Sequence, residues 1–182
     1  MKTNIISRIT LKKIKTGFGH DRNGLMCDFY LDGKRMGEFH DDGYGGETEI
    51  EFVNRQVQEV FEKFLTDNNF AQIMFDNNWG FMKDVNRIDL HTQTVNIVEE
   101  AFNNIEMQKA KSKIAKLFAT SIVYGIPNSN GYKYTKFKVP LAAVVLSPAN
   151  KIKLQAALDE IRAKLGKGEE IFNTNLKELG LK

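Results

Sequence analysis

Residues 25–40 read LMCDFYLDGKRMGEFH. Two strand-like runs, Leu25–Leu31 and Lys34–His40, flank Asp32-Gly33. Asp-Gly between such runs marks a type I′ hairpin, because both turn residues need positive φ. With two turn residues, Leu31 is expected to face Lys34, Phe29 Met36, Cys27 Glu38 and Leu25 His40. Upstream, ISRITLKKIK (residues 6–15) is β-branched and roughly alternating, which predicts a first strand over Ile5–Lys15 closed by Gly17 and Gly19. Downstream, HDDGYGG (residues 40–46) breaks the sheet. Thr48, Ile50 and Phe52 then alternate with Glu47, Glu49 and Glu51, as in a strand with one apolar and one acidic face.

Helices follow. Asn54 is placed as an N-cap for a helix with Val57, Val60, Phe61, Phe64 and Leu65 at the 3.6-residue period, ending near Asp67-Asn68-Asn69. Phe70–Leu90 fits neither period and reads as connecting structure. A long helix is predicted from about Thr92 to Lys116, burying Val95, Val98, Phe102, Ile105, Met107, Ala110, Ile114 and Leu117. Phe118–Ile126 and Tyr132–Val139 form a second hairpin with Tyr132, Tyr134 and Lys136 on one face. Pro140–Leu146 reads as a buried strand or a helical approach. Ser147-Pro148 caps a last helix, with Leu154, Leu158, Ile161 and Leu165 on one side and Gly166 at its end. Ile171, Phe172, Leu176, Leu179 and Leu181 bring the tail back onto the core. The class is α+β: an antiparallel N-terminal sheet with a helix, then a long helix, a β-hairpin and a capped helix. The chain forms one domain, or two subdomains over residues 1–78 and 91–182.

At 182 residues and 42% apolar content, the chain is long enough to bury a core without staples, and its composition excludes disordered, collagenous and disulfide-rich classes. The lone Cys27 forms no internal disulfide. No apolar run approaches the roughly 20 residues of a membrane span, and MKTNIISRITLKK lacks a signal-peptide core, so a cytoplasmic location with no membrane partner is expected. The net charge of +3 is segregated. Residues 1–106 hold 12 Lys/Arg against 18 Asp/Glu, residues 107–158 hold nine lysines and no acid, and the last 24 residues balance. Segregated charge implies surfaces of opposite sign that steer association.

Two sets of side chains are candidates. Lys109, Lys113 and Lys116 form one helical stripe, and Lys136 and Lys138 share a strand region with Tyr132 and Tyr134. Lysine beside aromatic rings is what single-stranded nucleic acid requires, while the absence of arginine from this block argues against guanine-specific readout. The competing reading is a solvated face whose lysines complement a helix dipole. Asp41, Asp42, Glu47, Glu49 and Glu51 form an acidic surface. It is read as a mimic of phosphate spacing, as a complement to the chain's own lysines in a homo-oligomer, or as an edge strand kept soluble by charge.

Other constellations are weaker. His20-Asp21 and His40-Asp41-Asp42 fit no metal-ligand spacing and read as polar turns. Cys27, Glu38 and His40 share a face in the expected register, but Phe29 and Met36 on that face favour a buried thiol. Gly43, Gly45 and Gly46 read as a turn rather than a phosphate loop, and His91 as a helix-entry residue. GxxxxGK[ST], GxSxG and HExxH are absent, and no cofactor is implied.

The run LMCDFYLDGKRMGEFHDDGYGGETEIEF (residues 25–52), with the closing GEEIFNTNL (residues 168–176), resembles small accessory proteins carried by bacteriophages and prophages. The resemblance carries over no catalytic residue. It implies an accessory phage protein, such as one that interferes with a host defence system. Together with the segregated charge, the reading is a non-catalytic binding protein that inhibits or sequesters a host component through a charged surface. The alternative is a nucleic-acid-binding accessory protein, or one holding a phosphate-bearing nucleotide, using the lysine-rich region of residues 107–158.

Overall fold

Asp32 and Gly33 adopt φ of 49° and 81°, so the hairpin turn is of the type that the Asp-Gly pair demands. The computed structural model describes residues 5–19, 23–79, 84–127, 129 and 131–182. His20-Asp21 lies outside them. Two compact units divide at Glu106/Met107, within a long helix. The first holds a net charge of −6, and the second, with 14 Lys/Arg against 5 Asp/Glu, a net charge of +9. The charge boundary read along the sequence is therefore a structural boundary. The class is α+β.

In the first unit, strands β1 (Ile9–Phe18), β2 (Asn23–Leu31), β3 (Lys34–Asp41) and β4 (Glu49–Phe52) form an antiparallel sheet in chain order. Ile5 and Ile6, expected in the first strand, are helical and buried instead. Two bulges reset the registers. On β1, Lys13 and Ile14 stand opposite the single Cys27, with Lys13 at φ 52°. On β3, Met36 is the extra residue between the pairs Tyr30–Arg35 and Phe29–Gly37. Cys27 consequently faces Phe39, and Leu25 faces Asp41, one residue away from the expected pairing. The extra residue is accommodated because Met36 is buried in the core and its carbonyl accepts the Val53 N–H at 2.9 Å.

Helix α1 (Arg55–Asp67) starts where Asn54 accepts the Val57 N–H at 3.0 Å, as the sequence predicts. Its Phe61 meets Phe29 edge-on at 5.5 Å, and Phe52 meets Phe29 at 5.6 Å. Phe70–Asp76, read as connection, is a second helix, α2, entered through Asn69 at φ 52°. It buries only Phe70 and Met74, one i,i+4 step, which is too short to display a period. A 3₁₀ turn (Val85–Arg87) precedes α3 (Leu90–Leu117), which buries Thr94, Ile97, Val98 and Ala101. Val95, Phe102 and Ile105 are partly buried. Met107 and Ala110, expected on the buried side, are exposed, because the first core ends with its unit at Glu106.

In the second unit, β5 (Ser121–Gly125) lies between β6 (Lys133–Lys136) and β7 (Glu170–Ile171), antiparallel to both. Pro140–Leu146 contains a single helical turn, α4 (Leu141–Val144). Helix α5 (Pro148–Lys164) buries Leu154, Leu158 and Ile161, as expected. Ser147 occupies the N-cap, but its hydroxyl makes no cap bond; its carbonyl instead accepts the Lys151 N–H at 2.8 Å. Leu176 and Leu181 of the tail complete this core with Ile122 and Leu141.

Candidate functional site

Side chains on the outer face of the four-stranded sheet follow from strand alternation once the bulges are placed. Lys12, Asp28, Glu38 and Glu51 form one rung across all four strands. Lys15, Met26, His40 and Glu49 form the next. Both rungs run from lysine on β1 to glutamate on β4, so the face is basic along one edge and acidic along the other.

Between those edges lies a carboxylate that sequence reasoning missed. Asp28 is only 4% exposed, with Lys13 Nζ 2.9 Å and Arg35 Nη2 3.0 Å from its oxygens. Arg35 also pairs with Glu38. Lys13, then Arg35, holds the Asp28 carboxyl below the usual carboxylate range, against the burial that would raise it. The bulge at Lys13 makes this possible by bringing that lysine to Asp28. Asp28 is the one acid within the otherwise uncharged run 25–31, and that was the available signal. Lys12 lies over the Tyr30 ring at 4.4 Å. A depression of about 270 Å³ runs between Lys13, Lys15, Met26, Asp28, His40 and Glu49.

The acidic residues singled out from sequence separate into two groups. Glu47, Glu49, Glu51 and Asp42 are exposed, and Glu49 Oε2 lies 3.5 Å from His40 Nδ1. Asp41 does not belong to that surface. It is 5% exposed, and its Oδ1 accepts the Gly43 N–H at 2.9 Å, closing the Asp41–Gly43 turn. Gly43 and Gly45, at φ 75° and 80°, supply left-handed backbone, in line with the turn reading.

Cys27, Glu38 and His40 are not assembled into one constellation. The Met36 bulge puts Cys27 opposite Phe39 on the core side, while Glu38 and His40 point outward. Burial, with Asp28 beside it, pushes the Cys27 thiol up to about 12. His91 Nε2 lies 2.7 Å from the Thr48 carbonyl, joining the first turn of α3 to the chain entering β4. Among the described residues, no three or more His, Cys, Asp or Glu side chains gather as metal ligands. No helix among them is long and apolar enough to cross a membrane.

In the second unit, the tyrosines are brought together. Tyr132 and Tyr134 are 41% and 53% exposed, with ring centroids 6.3 Å apart and planes tilted by 43°. Strand alternation puts Lys136 on the same side as Tyr134, and Lys136 and Lys138 are both exposed. Lys133, on the opposite side of β6, is held by Glu169 at 2.7 Å. Lys109, Lys113 and Lys116 are exposed on α3, within about 60° of its circumference.

Comparison of the chain with family models, curated proteins and solved structures gave no match.

Proposed function

We propose that the chain is a binding protein that engages its target through charged surfaces, and that the surface built on Tyr132, Tyr134, Lys136 and Lys138 binds single-stranded nucleic acid. The observation that carries this reading is the exposed tyrosine pair, 6.3 Å apart, in a unit of net charge +9. Two exposed rings offer faces for bases, and the lysines neutralise the phosphates between them. Lys109, Lys113 and Lys116 add backbone attraction that is independent of sequence. The lysines supply point charges rather than bidentate forks, so affinity will depend on salt more than on base identity.

A second reading follows from the resemblance to phage accessory proteins: a host component is sequestered through the acidic surface. It is favoured by the exposure of Asp42, Glu47, Glu49 and Glu51 at one end of the first unit's sheet. In this reading, the target carries a basic surface.

One experiment separates the two. Tagged protein is incubated with bacterial lysate, with and without nuclease, and retained protein and nucleic acid are measured together. Nucleic acid retained by wild type and lost from a Tyr132→Ala/Tyr134→Ala variant supports the first reading. A protein partner that survives nuclease and is lost on Glu47→Gln/Glu49→Gln/Glu51→Gln supports the second and overturns the first if no nucleic acid is retained.

A further inference from the structure

We propose that the outer face of the N-terminal sheet binds the same face of a second copy of this chain about a two-fold axis parallel to the strands. This goes beyond the nucleic-acid reading and concerns the other unit. Along each rung the charge changes sign: Lys12 and Glu51 are the ends of one, and Lys15 and Glu49 are the ends of the next. A two-fold axis along the strands keeps every rung at its own height and exchanges its ends. Lys12 of one copy then faces Glu51 of the other, Lys15 faces Glu49, and the symmetry repeats both pairs. A two-fold axis across the strands would set lysine against lysine and glutamate against glutamate. The face therefore complements itself in one orientation only.

The middle of the face is already prepared for burial. The axis sets Asp28 of one copy against Glu38 of the other. Within each chain Lys13 and Arg35 balance these two carboxylates, Lys13 and Arg35 holding Asp28 and Arg35 also holding Glu38, so stacking the faces leaves no net charge at the centre of that rung. Met26, 43% exposed on the central strand β2, supplies apolar contact there. The side chains at the edges are open to a partner: Glu49, beside His40, is 81% exposed, and Lys12, over Tyr30, Lys15 and Glu51 are exposed as well. Twisted sheets stack with strands aligned to within about 30°, which this axis permits. Strands about 4.8 Å apart, three of them about 30 Å long and β4 of only four residues, give a patch smaller than the roughly 800 Å² per partner of a standard interface. The dimer is accordingly weak and sensitive to salt.

Sedimentation velocity of the full chain tests this at about 0.05 M and about 0.5 M salt, where the screening length differs several-fold. Wild type should dimerise with rising concentration at low salt and be monomeric at high salt. Lys12→Glu/Lys15→Glu and Glu49→Lys/Glu51→Lys should each weaken dimerisation more than about tenfold, because like charges then face each other. Mixing the two variants should restore a dimer, and so should a single chain carrying all four changes. A wild-type monomer at every concentration at low salt overturns the proposal. So does a dimer indifferent to the reversals, or reversals that the mixture does not rescue.

Discussion

The side chain of Asn173 pairs with β5 as a strand would: its Oδ1 accepts the Val123 N–H at 2.7 Å, and its Nδ2 donates to the Ser121 carbonyl at 2.9 Å. The two-residue strand β7 ends at Ile171, and Phe172 N–H donates to the Val123 carbonyl at 2.8 Å. Asn173 thus extends the ladder where the backbone leaves it. Both β5 groups are buried, so truncating the amide leaves a donor and an acceptor without partners. Asn173→Ala should cost about 2–4 kcal/mol of stability, read as a lower urea midpoint, because an orphaned buried group costs about 1–3 kcal/mol. A variant within error of wild type would show that the tail does not hold the second unit together.

Asp28 sets part of the acid sensitivity of the first unit. Lys13 and Arg35 hold its folded pKa below the ordinary value, while the unfolded chain titrates near about 3.9. The unfolded state therefore binds the proton first, and the stabilisation is present above about pH 4 and lost as pH falls toward the folded pKa. Asp28→Asn should be less stable than wild type at neutral pH, with the gap closing on acidification below about pH 4. Urea midpoints across that range measure the gap. Asp32, Asp89, Glu160 and Glu169 are also lowered, so the variant should keep a reduced acid slope rather than none.

Cys27 should resist alkylation in the native state. Its thiol is buried and pushed up to about 12, so little thiolate exists near pH 8. Modification by iodoacetamide should be slow in buffer and rapid in urea, with the extent read by mass. Rapid native labelling would mean that the Leu25–Leu31 strand opens readily.

Features governed by neighbouring residues were legible in the sequence, and features governed by a displaced backbone were not. Asp32-Gly33 specifies its own turn, Asn54 its own cap, and Leu154, Leu158 and Ile161 their own stripe, since each depends on a few residues of spacing. The change of charge after residue 106 was equally readable, although the subdomains were read as residues 1–78 and 91–182 rather than as dividing there. The hairpin register was not. Met36 bulges for a tertiary reason, the core pocket that receives its side chain and the Val53 N–H that its carbonyl accepts. The same limit hid the ion-paired Asp28, because Lys13 reaches it through a bulge. It also misplaced Asp41, which turns inward to hold Gly43. In the candidate basic surface, the tyrosine pair was readable as strand alternation, whereas the pairing of Lys133 with Glu169 required a contact across 36 residues.

Gly37 gives the last prediction, because it shows what the β3 bulge demands. A Cβ there would lie 2.3 Å from the Glu51 carbonyl oxygen and 2.9 Å from Phe29 Cε1. The first obstacle is backbone of the neighbouring strand and the second a fully buried ring, so neither yields without separating β4 from β3 or repacking the aromatic core. Gly37→Ala should therefore cost about 1–3 kcal/mol or more, as overpacking does. Gly33→Ala meets no atom within 4 Å but must hold φ 81°, so its cost should be about 1–2 kcal/mol of backbone strain. Gly46→Ala has open space and no left-handed φ, and should stay within about 0.5 kcal/mol of wild type. Urea denaturation of the three variants checks the order. If Gly37→Ala proved as stable as Gly46→Ala, the close approach of β3 and β4 would be wrong, and with it the register that puts Glu49 and Glu51 on the outer face.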